Sequence, residues 1–189
     1  IEVQEEQQKT KINLDDTDIN GTLDVVIDDK VYDIKSASPY AFQNKFGKFG
    51  GYSKVKEDDP FGYVVQGYAY AQGVDKPFGG WIVVDKSSGE VTVCEAPDIQ
   101  EQDKQDALDA ATVNVRKLKK TKRIEKQFKP TDEIDKGEPT GNKLLPRECG
   151  FCGFRHNCWS KAQFLPKHTS RAKNPPYVWY TKVAKNAHT

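Results

Sequence analysis

Asp24, Asp33 and Lys35 are the residues of this chain whose types and spacing suit chemistry at a phosphodiester. An alternating apolar run, Leu23, Val25 and Ile27, carries Asp24, and the chain turns at Asp28-Asp29-Lys30 and returns through Val31 to Asp33 and Lys35. Two β-prone runs about such a turn predict a β-hairpin with Asp24 close to Asp33. Carboxylate oxygens are the preferred ligands of a hard divalent cation such as Mg²⁺, the usual agent of phosphodiester hydrolysis. On this reading Asp24 and Asp33 hold the ion, which lowers the pKa of a bound water, and Lys35 orients that water or neutralises the phosphate. Residues two apart on a strand share a face, so Asp33 and Lys35 point together, and the carbonyl of Ile34 between them is a further candidate ligand. The competing reading is a salt-bridged surface hairpin, because Asp-x-Lys alone is a short and common string.

Downstream, Gln66 and Tyr70 stand four apart in Gln66-Gly-Tyr-Ala-Tyr70 and share a helix face if residues 61–72 are helical. The order Gly-x-x-Asp, Asp-x-Lys, Gln-x-x-x-Tyr, here Gly21/Asp24, Asp33/Lys35 and Gln66/Tyr70, resembles the signature of RecB-like nucleases of the PD-(D/E)XK superfamily. The resemblance implies an α/β, restriction-endonuclease-like core: a central mixed sheet flanked by helices. It also implies that Gln66 and Tyr70 position the substrate phosphate and the catalytic strand. In that family a helix bearing a His or Glu precedes the strands, and residues 1–20 hold no clear counterpart. Glu5 and Glu6 are the candidates there, with solvent-facing charge as the plainer reading. The chain contains no Met and starts at Ile1, which reads as a fragment whose metal shell is incomplete.

Cys149, Cys152 and Cys158 form C-x2-C-x5-C around His156, and Cys94 is the only other thiol. Cysteines so clustered, in a chain without a signal-peptide pattern, point to a metal rather than a disulfide framework. Four thiolates would suit a [4Fe–4S] cluster or zinc, and three with His156 would suit structural Zn²⁺. The spacing resembles the C-terminal triplet of iron–sulfur RecB-family nucleases, CRISPR-associated exonucleases among them. There the fourth cysteine lies ahead of the nuclease strands, and here residues 1–20 contain none. The fourth ligand is then expected in a preceding segment, or else His156 or Cys94 replaces it.

The elements that must position these groups follow from patterning. Residues 1–14 alternate weakly and read as a strand, Asp15-Asp16-Thr17-Asp18 as a turn, and 17–27 and 30–36 as the next two strands. Residues 40–56, with Gly-rich 46–51 inside them, read as a mobile loop beside the site. Its Lys45, Lys48 and Lys54, with aromatic residues between them, are candidate substrate contacts of the kind that suits single strands, and Tyr68 joins that set although a core position suits it equally. Asp58-Asp59-Pro60 reads as a helix start. Residues 81–85 and 90–94 read as a buried hairpin, and 99–128 as one long helix with Leu108, Ala111, Val115 and Leu118 inward. The compact core is expected to end near 129, followed by a linker at 130–146, a Cys-rich metal-binding segment at 147–160 and a basic, aromatic tail at 161–189.

Composition sets the outer bounds. With 30% charged against 36% hydrophobic residues, yet nine Phe, eight Tyr and three Trp, the chain has the aromatic mass to fold as a soluble protein. No apolar run reaches membrane-span length, and a cytoplasmic setting, bacterial, archaeal or phage-infected, is expected. A net charge of +1 conceals segregation. Residues 1–35 hold ten Asp/Glu against four Lys, 116–129 hold eight basic residues against Glu125, and 155–189 hold no acid. The basic stretches are candidates for gripping a phosphate backbone, or are plainly solvated faces. Together these features predict a Mg²⁺- or Mn²⁺-dependent deoxyribonuclease, foremost an exonuclease acting on DNA with a single-stranded or free end, with a protein partner in recombination or replication in view. Its alternatives are a structure-specific or restriction-type endonuclease, a nucleic-acid-binding module with an incomplete site, and a zinc-stabilised interaction domain.

Overall fold

The computed structural model describes residues 3–120 and 125–184. The chain folds as two compact units, residues 1–122 and 123–189.

The first unit starts with four short strands, β1 (Val3–Glu6), β2 (Lys9–Leu14), β3 (Thr17–Thr22) and β4 (Val25–Ile27), where two long ones were expected. Both arms of the hairpin bend at the same level. The pairing passes through the bend by Gln7 N–H to the Asp24 carbonyl and Leu23 N–H to the Gln8 carbonyl, each 2.9 Å. Below the bend, β2 and β3 form a ribbon of their own; above it, β1 and β4 join the main sheet. Asp24 therefore sits at the bend, just ahead of β4, and not within a strand. Both turns are Asp pairs with positive φ, Asp15 and Asp16 at 52° and 56° and Asp28 and Asp29 at 46° and 63°. Two successive left-handed residues make the primed turn that matches strand twist, and Asp tolerates that region by bonding its own backbone.

The main sheet runs β1-β4-β5-β6-β7, with β5 (Lys30–Ala37), β6 (Phe78–Asp85) and β7 (Val91–Glu95). β5 and β6 are parallel, with Asp33 level with Trp81, while the other neighbours are antiparallel, so the sheet is mixed. A parallel pair needs a crossover. It is supplied by α1 (Pro39–Ala41), a π-helical turn over Phe42–Phe46, α2 (Tyr52–Glu57) and α3 (Tyr63–Gly73). The stretch expected as a mobile loop is thus largely helical. Phe42 and Phe46 are buried, and Tyr52 stacks on Trp81 at 5.8 Å, because these rings complete the core over β6. Trp81, Tyr68, Phe78, Leu23, Val26, Val31, Val55 and Val83 form its centre. α3 starts where Asp59 accepts the Tyr63 and Val64 N–H groups, both at 2.8 Å, which satisfies donors that a helix start leaves open.

α4 (Glu101–Lys120) is amphipathic but shorter than expected: residues 125–128 are not helical, and residues 121–124 lie outside those described. Val115 is buried with Ile12 and Leu14, and Leu108 and Ala111 pack on them, whereas Leu118 is exposed. Arg116 bonds Asp15 at 2.8 Å and Lys119 reaches the same carboxylate at 3.6 Å, so part of the basic cluster is committed to the β2–β3 turn.

The second unit corrects the expected linker and tail. Residues 130–146 hold β8 (Thr131–Asp135) and β9 (Glu138–Leu144), joined at Lys136-Gly137, both with positive φ. After α5 (Arg147–Phe151) and α6 (Arg155–Cys158), the tail supplies β10 (Gln163–Pro166) and β11 (Tyr177–Lys182). The sheet order is β10-β11-β9-β8, all antiparallel. Pro175-Pro176, without an N–H to donate to a helix, directly precedes β11. The core here is polar: Glu133, Asn142 and Tyr180 are fully buried and bonded together. Polarity of sequence had hidden these strands. Among the described residues no helix is long and apolar enough to cross a membrane.

Candidate active site

β5 presents Asp33 and Lys35 on the face that also buries Val31. Asp33 is 2% exposed, and its Oδ2 lies 2.6 Å from Lys35 Nζ. That oxygen has no hydrogen-bond donor in proper geometry among the described residues. Burial pushes the Asp33 carboxyl above its ordinary range, Lys35 pulls it back, and the nearby Asp24 charge raises it again. Asp24 reaches across from the bend: its Oδ2 accepts the Ile34 N–H at 2.7 Å and its Oδ1 accepts from Gln7 Nε2 at 3.3 Å. The N–H and C=O of one extended residue leave the strand on the same edge, so the Ile34 carbonyl lies on the edge from which its N–H meets Asp24. Its side chain is exposed.

From α3 the site gains a polar relay. Lys35 Nζ donates to Gln66 Oε1 at 2.9 Å, and Gln66 Nε2 donates to Tyr70 Oη at 3.0 Å. The Tyr70 ring in turn lies against Gly21, where an added Cβ would come within 2.5 Å of it. Gly21, Asp24, Asp33, Lys35, Gln66 and Tyr70, from β3, the bend, β5 and α3, are brought together in one connected arrangement. A glycine is required at position 21 because the ring occupies the space of a side chain.

The candidate substrate contacts separate. Lys45 lies over the Tyr63 ring at 6.0 Å, the ring that also carries Lys35 at 4.9 Å, so Lys45 does border the site. Lys48 sits over exposed Phe49, and Lys54 pairs with Glu57 at 2.7 Å on α2. Tyr68 is a correction. It is 1% exposed, and its hydroxyl meets that of Tyr52 at 3.0 Å inside the core. Of the N-terminal candidates, Glu6 is exposed opposite Val25 and the Glu5 side chain lies outside what is described. Two residues escaped sequence reasoning. Tyr63 stacks on Phe61 at 5.7 Å and bears both lysines; its helical spacing, three before Gln66, was the available signal. Gln7, at the unforeseen bend, left none.

The donors here fit a hard divalent cation. Two converging carboxylates, one of them buried with an oxygen lacking a hydrogen bond, gain from a cation that removes their mutual repulsion, and Mg²⁺ is commonly held by one or two carboxylates with waters. In the second unit, burial raises the Cys149 thiol, and the nearby Cys152 and Cys158 raise it further. A thiol whose ionisation its surroundings oppose in this way would be deprotonated by a soft cation or cluster, which would reverse that effect. His156 packs edge-on to Trp179 at 5.3 Å, so its ring is engaged with the aromatic. Arg155 lies over Trp179 at 3.7 Å and donates to the Cys149, Gly150 and Cys152 carbonyls at 3.3 to 3.4 Å, which fixes the cysteine segment on the sheet. Cys94 is an ordinary core thiol opposite Trp81, pushed up to about 11 by burial. Among the described residues no group of three or more His, Cys, Asp or Glu side chains is arranged to hold a metal ion. No protein-family model, characterised protein or solved structure matches the chain.

Proposed function

We propose that this chain is a divalent-cation-dependent deoxyribonuclease of the RecB-like type, foremost an exonuclease. The observation that carries the reading is the assembly of Gly21, Asp24, Asp33, Lys35, Gln66 and Tyr70 into one connected site. Asp24, Asp33 and the Ile34 carbonyl would hold Mg²⁺ or Mn²⁺. Such an ion, when bound, lowers the pKa of the attacking water and offsets charge on the phosphoryl oxygens. Lys35 stands between Asp33 and Gln66, so its ammonium can meet the phosphate or orient the water without leaving its hydrogen bond. Gln66, steadied by the Tyr70 hydroxyl, holds Lys35 in that place. The partly covered Lys45 and the Tyr63–Phe61 stack flank the site with one cation and two rings, a lining suited to a strand end whose bases are unpaired.

In the second unit, Cys149, Cys152 and Cys158 would hold a [4Fe–4S] cluster, or Zn²⁺, with a fourth ligand from elsewhere; thiolate ligation suits these and not phosphodiester hydrolysis. The function is tested by incubating the full chain with end-labelled linear DNA, single- and double-stranded, in Mg²⁺ or Mn²⁺. Nucleotide release that chelator stops is expected. Closed circles should resist, and their digestion would favour the endonuclease reading. Binding of DNA with no cleavage in either metal would leave only a binding module.

A further inference from the structure

Beyond the candidate active site, the second unit carries an aromatic ladder across one face of its sheet. Tyr177 and Trp179, two apart on β11, share a face, and Phe164 on β10 is level with Trp179. The Phe164 ring lies 5.3 Å from Tyr177 and 5.0 Å from Trp179, tilted by 43° and 31°. Arg155 closes the far end with its guanidinium over Trp179 at 3.7 Å. Two of the three rings do not serve the core: Phe164 is 52% and Tyr177 57% exposed, while Trp179 is half-buried against Arg155 and His156, and the inward position of β11 is taken by Tyr180, bonded to Glu133 at 2.7 Å.

Leaving such rings in water forgoes burial that the fold could have used, which calls for an occupant. Charge says which kind. Residues 155–189 contain seven Lys or Arg and no Asp or Glu, and Lys161, Arg171, Lys173 and Lys182 are exposed. A patch for another protein's apolar side chains would not require the ring-bearing segment to hold charge of one sign only. Exposed rings on a segment rich in cations suit bases that stack while their phosphates are paired, and stacking needs unpaired bases. We infer that the Phe164–Tyr177–Trp179 face of the second unit binds single-stranded nucleic acid by base stacking. The inference stands on this unit alone and does not depend on cleavage at Asp24 and Asp33.

The test is fluorescence-anisotropy titration of the full chain, in chelator so that no cleavage intervenes, with fluorescein-labelled oligothymidylate and with the same strand annealed to its complement. Tighter binding of the single strand is expected. Phe164→Ala with Tyr177→Ala should weaken it by roughly tenfold or more, as loss of stacked rings does, with the thermal midpoint unchanged. Phe164→Trp, which keeps a π-face, should bind as the parent does. Oligouridylate in parallel tells DNA from RNA, and ring-dependent binding of either strand supports the inference. Duplex bound as tightly as single strand, or a double-alanine variant that binds as the parent does, would overturn it and leave the face to a protein partner. Since a nuclease with no ladder function would still cleave, and a ladder without a nuclease would still bind, the two failures are separable.

Discussion

At the scale of single residues, the Asp24 charge works against ionisation of the buried Asp33. Burial and the Asp24 charge raise the Asp33 pKa, while Lys35 lowers it. A carboxyl whose folded pKa exceeds its unfolded value binds more protons folded, so the cation-free protein loses stability as pH rises through the window between those two values. Carboxyl-carbon NMR should therefore find Asp33 titrating above the ordinary range, lower in Asp24→Asn and higher in Lys35→Met. Identical titrations in all three proteins would contradict the arrangement. Lys35→Ala should lower the cleavage rate by roughly a hundredfold or more, as loss of a positioned charge at developing phosphoryl charge does. That Asp33 lies beside Lys35, and Gln66 beside Tyr70, was legible because a strand or a helix turns each spacing into a shared face, whereas Asp24 comes to β5 from the bend. Tyr68 was misread because an aromatic beside a motif is as well explained by the core, and burial is not written in a spacing.

At the scale of elements, α3 depends on a remote cap. Gly62, at φ 73°, occupies the capping position without a side chain, and Asp59 serves the first turn instead. Asp59→Ala should cost about 1 kcal/mol of stability, as cap losses do, read as a lower urea midpoint, with some loss of cleavage because α3 carries Gln66 and Tyr70. In the second unit Glu133 is the keystone. Burial alone would raise its pKa, but Asn142, Tyr180, Thr140 and Thr169 all donate to it and together hold it below the usual range. A depressed carboxyl lends stability above its unfolded pKa, and that stability is lost as pH falls through the folded value. Glu133→Gln should cost roughly 1.5–3 kcal/mol, the range for hydrogen bonds to a charged group, and should flatten the acid unfolding of this unit, followed by hydrogen exchange in β8 and β9. An acid limb as steep as the parent's would contradict this. The strands here were unreadable because their core is polar: apolar alternation, the signal for a half-buried strand, is absent where Glu133 and Asn142 take the inward positions.

At the scale of the whole molecule, the proposed chemistry divides between the units: carboxylate oxygens suited to a hard cation in the first, thiols suited to a soft one in the second. Cys152→Ser should lower the thermal midpoint first and cleavage only in proportion to the folded fraction. Anaerobically prepared protein should be brown, with absorption near roughly 400 nm, if thiolate-ligated iron–sulfur is present, whereas a colourless sample with stoichiometric zinc would identify the alternative. The mixed sheet of the first unit was expected from the resemblance, and its β6–β7 hairpin from buried apolar runs. The bend at Gln7 and Asp24 was not, since two backbone hydrogen bonds between distant residues define it. The central claim, a cation-dependent cleavage site built on Asp33, is tested most directly by Asp33→Ala. Purified variant and parent are compared for nucleotide release from labelled linear DNA in Mg²⁺ and in Mn²⁺, and for DNA binding in chelator. The account predicts that cleavage disappears in both metals while binding stays near the parent's; cleavage by Asp33→Ala at the parent's rate would contradict it.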